Sequence, residues 1–517
     1  VGAIDDRMNP IVVKELRQAV NSMFVNTILL LFLVVLLLVL GGYLLLSETG
    51  RTNAGGEVFM VLHAIMLSTC LLFTPLYVGI RLGCERSGVN TDLLFITTIK
   101  PSSIVWGKLI SGMAIAMLIF SACAPFMVIT YLMRGIDLPT IFLILGLDVL
   151  VILGVIQVAL TVASMPVSAV VKAFVGLAAL GGIGMLCVGV LVMAAELAID
   201  GVLFYGASAM DFWGPVITMI LFGLAIAGLL FFVAVAMLTA STANRARPLR
   251  LYITAVWLVT GVIAVAHDWG FLPDLYFNAV EVWTITSLIF LSLILVCSGS
   301  EREAYGNRLL WKVPRRVWLR PIAFLTTSGA AAGLIWAGML IAATIVTAWV
   351  CSSMHGPAHL TGSSSPYSVW GRQPLDFTRD IAYALPVPVY ALAYILTGIL
   401  LRKGLMGQGA NPITAAAFAF LLMIVFTILP FIGLFVVMGD DWDRASDVWY
   451  ILNPFATLSH EPGSEYWVLA LIFSGAWAGI TLLFLTPWML RQIRSYRPLS
   501  PQAPETAAPV TPGDARG

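Results

Sequence analysis

The sequence predicts an all-α membrane protein, a polytopic helical bundle of about twelve transmembrane helices. Three observations predict it. Of the 517 residues, 60% are apolar and only 11% charged, a balance outside that of soluble domains. Apolar runs close to the ~20 residues that cross a hydrocarbon core recur along the whole length. The cations are sorted by loop: with the spans given below, every Lys and Arg except Arg51, Arg134, Arg372, Arg379 and Arg444 falls on the side of the two termini. That bias predicts both termini on the cytoplasmic side, an N-in/C-in arrangement with an even number of spans.

The same sorting removes one class of function. The formal net charge of +1 says nothing about nucleic acid, because the basic residues are sorted by side of the membrane rather than gathered into a patch, and no nucleic-acid partner is expected. The six cysteines lie mostly in or near apolar runs, and no disulfide framework is expected.

Four regions follow in order: a tail and interfacial helix (1–26), a first six-span region (27–243), a second six-span region (244–497) and a Pro-rich tail (498–517) whose composition reads as disordered. The first helix is expected over 9–26, with Asn9 as cap and Pro10 at the first helical position, where its missing N–H costs nothing. Val12, Leu16, Val20 and Phe24 recur at helical spacing, and Lys14, Arg17 and Gln18 lie off that stripe. Such a helix, with Pro10, Lys14, Glu15 and Arg17 near the headgroups, suits the membrane interface. The first apolar run begins only at Thr27 and has the length of a span, so no cleavable leader is expected.

Spans are expected at 27–46, 58–80, 108–132, 141–163, 171–197, 214–240, 251–267, 280–298, 329–350, 380–401, 413–437 and 466–490. Between the eighth and ninth, residues 300–324 mix basic side chains with Trp311 and Trp318, which suits a cytoplasmic segment reaching into headgroups. Gly329/Gly333 and Gly475/Gly479, at four-residue spacing, predict close helix packing.

The most informative stretch is Arg81 to Lys108, a charged segment between two long spans. Thr91 and Asp92 are good helix caps before the short apolar run Leu93-Leu94-Phe95-Ile96. Pro101-Ser102-Ser103 then restarts the chain ahead of Gly107-Lys108. A short helix lying across the membrane face is predicted, available to another protein.

The phosphate cradle GxxxxGK[ST] is missing, because Leu109 follows Gly107-Lys108 and Ser102 stands where the first glycine belongs. Any nucleotide chemistry must therefore come from a second subunit. Glu85-Arg86-Ser87-Gly88 also suggests the turn of twelve-span secondary carriers, but Val89-Asn90 replaces its basic pair.

On Glu85, Arg86, Thr91, Asp92, Leu93, Leu94, Pro101, Ser102, Gly107 and Lys108, the stretch resembles the first cytoplasmic loop of ABC-2 type transporter permeases. The opening Asn9-Pro10-Ile11-Val12-Val13-Lys14-Glu15-Leu16-Arg17-Gln18 is similar to that of a bacterial branch described as copper-enzyme-maturation or gliding-type permeases. The resemblance covers roughly residues 9–240. It implies a permease subunit of a bacterial inner-membrane exporter, not itself an enzyme. A separate ATP-binding cassette ATPase, carrying ATP and Mg, would dock on a coupling helix. Glu85, Arg86, Thr91, Asp92, Leu93, Leu94 and Lys100 would contact it. Family members of six spans pair as dimers, which implies a second copy or a second permease subunit; the extra six spans here depart from that pattern. An ion-coupled carrier and a membrane-embedded transferase are the alternatives.

Asp148 is the only acid deep in an expected span, and His63 lies within the second; Lys172, Glu196, His267 and Glu281 sit near span ends. Charged groups are costly deep in a span, so Asp148 and His63 are each a functional candidate, or else a hydrogen-bonded strut between helices. Cys351, Met354, His355 and His359 cluster soft ligands in one loop, but Pro357 prevents a regular helix from aligning the histidines, and no metal is expected.

Overall fold

The computed structural model describes residues 10–46, 54–85, 100–133, 136–199, 210–240, 243–269, 279–355, 381–407, 411–438, 447–459 and 462–498. Regular structure among them is helical throughout. Twelve of the helices are long and apolar enough to cross a membrane, one for each expected span, so the chain is a multi-pass membrane protein.

The described residues fall into two compact units that divide near residue 240. In the first, α1 (Pro10–Val20) is followed by α2 (Met23–Leu46), α3 (Ala54–Glu85), α4 (Pro101–Leu132), α5 (Leu138–Ser164), α6 (Ala169–Ile199) and α7 (Met210–Leu238). The opening helix is shorter than 9–26. It stops at Val20 because Asn21 and Ser22 turn back on it, their N–H groups donating to Arg17 and Ala19 at 3.2 and 3.1 Å. Short polar residues favour such local bonds over helix continuation. The first span consequently starts at Met23.

At the other end of this unit the helices run past their apolar limits. The second span was expected to stop at 80 and the third to start at 108, yet α3 continues to Glu85 and α4 begins at Pro101. Arg81, Glu85 and Lys108 can stay helical because they pair with one another and with α1. Lys100 is extended, as a residue before proline must be, and Pro101 occupies the first turn.

The core of this unit is the α3–α4–α5 trio, with α1 laid on α4, α7 on α5 and α6 against α3 and α5. Of the first unit's spans, α3 is the most buried, whereas α6 turns Phe174, Leu177, Met185 and Val188 outward. Gly112 marks the point where the trio converges: a Cβ there would stand 2.9 Å from Val78 of α3 and 3.3 Å from Ile156 of α5.

The second unit holds α8 (Ala246–Asp268), α9 (Ala279–Gly299), the short α10 (Asn307–Leu310) and α11 (Arg320–Leu325), α12 (Ala330–His355), α13 (Pro386–Leu401), α14 (Ile413–Met438) and α15 (Glu465–Ser495). Helix α9 packs on α8, α12 and α13, and α13 packs on α14 and α15. Gly398 lets α13 touch α14, since a Cβ there would collide with the backbone carbonyl of Ala415. Of the two small-residue pairs, only the first is used. Cβ atoms on Gly329 and Gly333 would meet Tyr305 at 2.9 Å and Ser298 at 2.7 Å, but Cβ atoms on Gly475 or Gly479 would meet no neighbouring element among the described residues within 4 Å. Helix α15 turns Ala470, Ser474, Ala478 and Leu485 inward instead, which carries Gly475 and Gly479 off the packed face.

Candidate functional site

Helix α1 crosses α4 at Gly107. A Cβ on that glycine would stand 2.6 Å from Ile11, so its absence is what lets the two backbones approach. Val12 and Ala19 are buried in the contact, and so is Glu15, which the approach carries onto Lys108. Val20 and Phe24, the far end of the expected apolar stripe, are half-exposed or more. The packed face of α1 is therefore turned toward Glu15, because a buried cation waits there.

Lys108 is 2% exposed and its ammonium lies 3.1 Å from Glu15 and 2.9 Å from Glu85. Arg81 reaches Glu15 at 3.6 Å, donates to the Tyr77 hydroxyl at 2.8 Å and to the Gln18 side chain, and lies over the Tyr77 ring. Lys14 closes the edge at 3.7 Å from Glu85. Two carboxylates and three cations on α1, α3 and α4 thus form one ion-pair cluster at the mouth of the 86–99 loop, with each carboxylate facing two cations. A buried ammonium is tolerated only with such partners.

Of the expected partner-contacting residues, Glu85 lies in this cluster and Lys100 is exposed at the start of α4. Arg86, Thr91, Asp92, Leu93 and Leu94 lie outside the described residues, as does the short helix expected around them. Pro10 opens α1, Lys14 and Glu15 are in the cluster, and Arg17 is exposed.

A second polar site lies deep in the same unit. His63 of α3 and Asp148 of α5, singled out separately in the sequence, meet at 2.7 Å with both side chains almost wholly buried. The His63 ring stacks on Phe59, 5.6 Å between centroids. Among the described residues His63 Nδ1 and Asp148 Oδ1 have no further partner, and Thr74 Oγ1 and Gln157 Oε1 on the same two helices have none either. The His63–Asp148 pair can hold a proton, or simply pin α3 to α5.

In the second unit Glu301, just past α9, receives a buried cation from another helix, Arg250 of α8, at 2.7 Å. Glu85 at the end of α3 receives Lys108 in the same manner. In the sequence each of these glutamates follows an apolar span and precedes an arginine, Arg86 or Arg302, and neither buried cation is foreseen there. Arg250 stands one position before the expected seventh span and follows Arg245 and Arg247, so it reads as part of a basic loop and carries no separate signal. Burial pushes the Glu301 carboxyl above the usual range, and Arg250 opposes the shift. Of the soft ligands, Cys351 is buried against Ala264, Val280 and Ile381 and Met354 is exposed, while the side chains of His355 and His359 lie outside the described ones.

Comparison with family models, with curated proteins and with solved structures finds no match.

Proposed function

We propose that this chain is the membrane-spanning permease subunit of an ABC-2 type exporter, driven by a separate ATP-binding subunit docking on the loop between α3 and α4. One observation carries the reading. The loop leaves α3 at Glu85 and returns through α4, and Lys108 ties both helices and Glu15 of α1 to a single ammonium. A push on residues 86–99 then reaches three helices together. The sorting of Lys and Arg supports a cytoplasmic position for this loop and for both termini, as in a bacterial inner membrane. ATP and Mg belong to the partner, since this chain has no phosphate cradle of its own.

The test leaves Glu85 in place, because it is paired internally. Arg86→Glu with Asp92→Lys reverses two loop charges. It is expected to abolish co-purification of the full chain with an ATPase bearing a GxxxxGK[ST] loop, while membrane insertion persists. Undiminished co-purification, or transport by the purified chain alone, would overturn the reading.

The buried His63–Asp148 pair favours one second reading, an ion-coupled carrier. Its transport would collapse with an uncoupler and ignore ATP depletion; the permease would do the opposite.

A further inference from the structure

Residues 300–329 connect the end of α9 to the start of α12 and are held from within. Val313 and Phe324 are buried with Ala331, Ala332 and Tyr496. The Arg250 guanidinium donates to the carbonyls of Leu325 at 2.8 Å, Thr327 at 2.6 Å and Gly329 at 3.4 Å. Glu301, paired with the same arginine, accepts from the Gly329 N–H at 2.7 Å. Asn244 donates to Thr326 at 3.2 Å and accepts from the Ser328 N–H at 3.0 Å. A segment with only two short α-helices and a 3-10 turn at Val317–Leu319 is thereby fixed in one shape.

Its outer side combines two properties that water alone does not favour. Trp311, Val317, Trp318 and Ile322 are each at least 60% exposed. Among them stand Arg308, Lys312, Arg315 and Arg316, all exposed and with no ion-pair partner among the described residues. No Asp or Glu occurs from Ala304 to Gly329. The platform joins the ends of two membrane-length helices, which puts it at the depth where hydrocarbon gives way to headgroups. Indole suits that layer, being apolar in body and polar at its N–H.

We propose that residues 308–322 form a binding site for anionic phospholipid. Arg308, Lys312, Arg315 and Arg316 take the phosphodiester headgroups, and Trp311, Val317, Trp318 and Ile322 rest at the acyl boundary. Arginine offers a phosphate a planar pair of donors, and each cation near an anionic surface contributes about fivefold in partitioning, falling with salt. The site does not depend on the permease reading.

The test is binding of phosphatidylglycerol and of phosphatidylcholine to the purified full chain, counted by native mass spectrometry from a neutral detergent. Wild type is expected to prefer phosphatidylglycerol by tenfold or more. Arg315→Gln with Arg316→Gln should remove most of that preference, with phosphatidylcholine binding and melting temperature unchanged. Arg308→Gln with Lys312→Gln serves as an independent second pair, and Trp311→Ala with Trp318→Ala should weaken both lipids alike. Equal binding of the two lipids by wild type, or a preference untouched by both pairs, overturns the proposal. So does equal displacement of the lipid by inorganic phosphate, which would mark a free-anion site. Tighter binding of poly-glutamate than of phosphatidylglycerol would mark a protein-docking face and overturn it too.

Discussion

Glu85 and Lys108 face each other across the 86–99 loop, carboxylate to ammonium at 2.9 Å, with the lysine almost wholly withdrawn from solvent. Lys108→Met deletes the ammonium and leaves Glu15 buried. Breaking a buried pair costs about 3–5 kcal/mol, and since Arg81 still stands 3.6 Å from Glu15, the lower end of that range is expected. Glu15→Gln with Lys108→Met removes both charges and should recover half or more of the loss in reversible SDS titration. A double variant as unstable as Lys108→Met would show that the ion pair does not hold α1.

His63→Leu and Asp148→Leu each leave one buried polar group without its partner, an expected loss of about 1–3 kcal/mol apiece. The double variant should lose less than the two together, with a coupling of about 1 kcal/mol, near what hydrogen bonds contribute inside membranes. Transport separates the roles. A strut tolerates the double leucine exchange, whereas a carrier whose ion rides on this pair loses activity completely.

Arg250→Ala predicts a pH effect of definite sign. Burial raises the Glu301 carboxyl above its ordinary value even with the arginine present, and without the arginine it rises further. The folded state then holds its proton more tightly than the unfolded state. Stability is fully present below the unfolded pKa and is lost as pH rises through the raised folded one. Melting scans from pH 5 to pH 8 should show the variant falling further below wild type toward the alkaline end. Arg250→Ala with Glu301→Gln should flatten the difference.

Gly398→Ala should separate α13 from α14, because the new methyl meets the Ala415 backbone and neither side can give way. Overpacking of this kind costs about 1–3 kcal/mol. Gly479→Ala, on the same unit and open on that side, should be neutral or slightly stabilising in the same titration.

The number and order of the spans were legible because a membrane-crossing helix needs only length and apolar content, both carried by consecutive residues. The ends were less so. Apolar content drops at Arg81 and before Lys108, yet both stay helical, since charges that neutralise one another across helices need not leave the helix. That depends on partners distant in sequence. Asp148 and His63 could each be flagged for standing in an apolar run, but their meeting could not be foreseen from either neighbourhood. Arg250 went unflagged because its partners lie on a connecting segment. The unused Gly475/Gly479 pair makes the same point in reverse: spacing on one helix does not say which face has a neighbour.

The anchoring of Arg250 also sets an order of assembly. Its carbonyl acceptors lie 75 to 79 residues downstream, and a ribosome adding about 5–20 residues per second takes roughly 4–16 s to reach them. Glu301, 51 residues downstream, is the first partner to arrive, and the carbonyls complete the set, so α8 should settle fully only once α9 and the segment after it have emerged. Nascent chains halted before residue 325 should remain attached to the insertion machinery, and those halted far enough into α12 for Gly329 to have left the ribosome should be released.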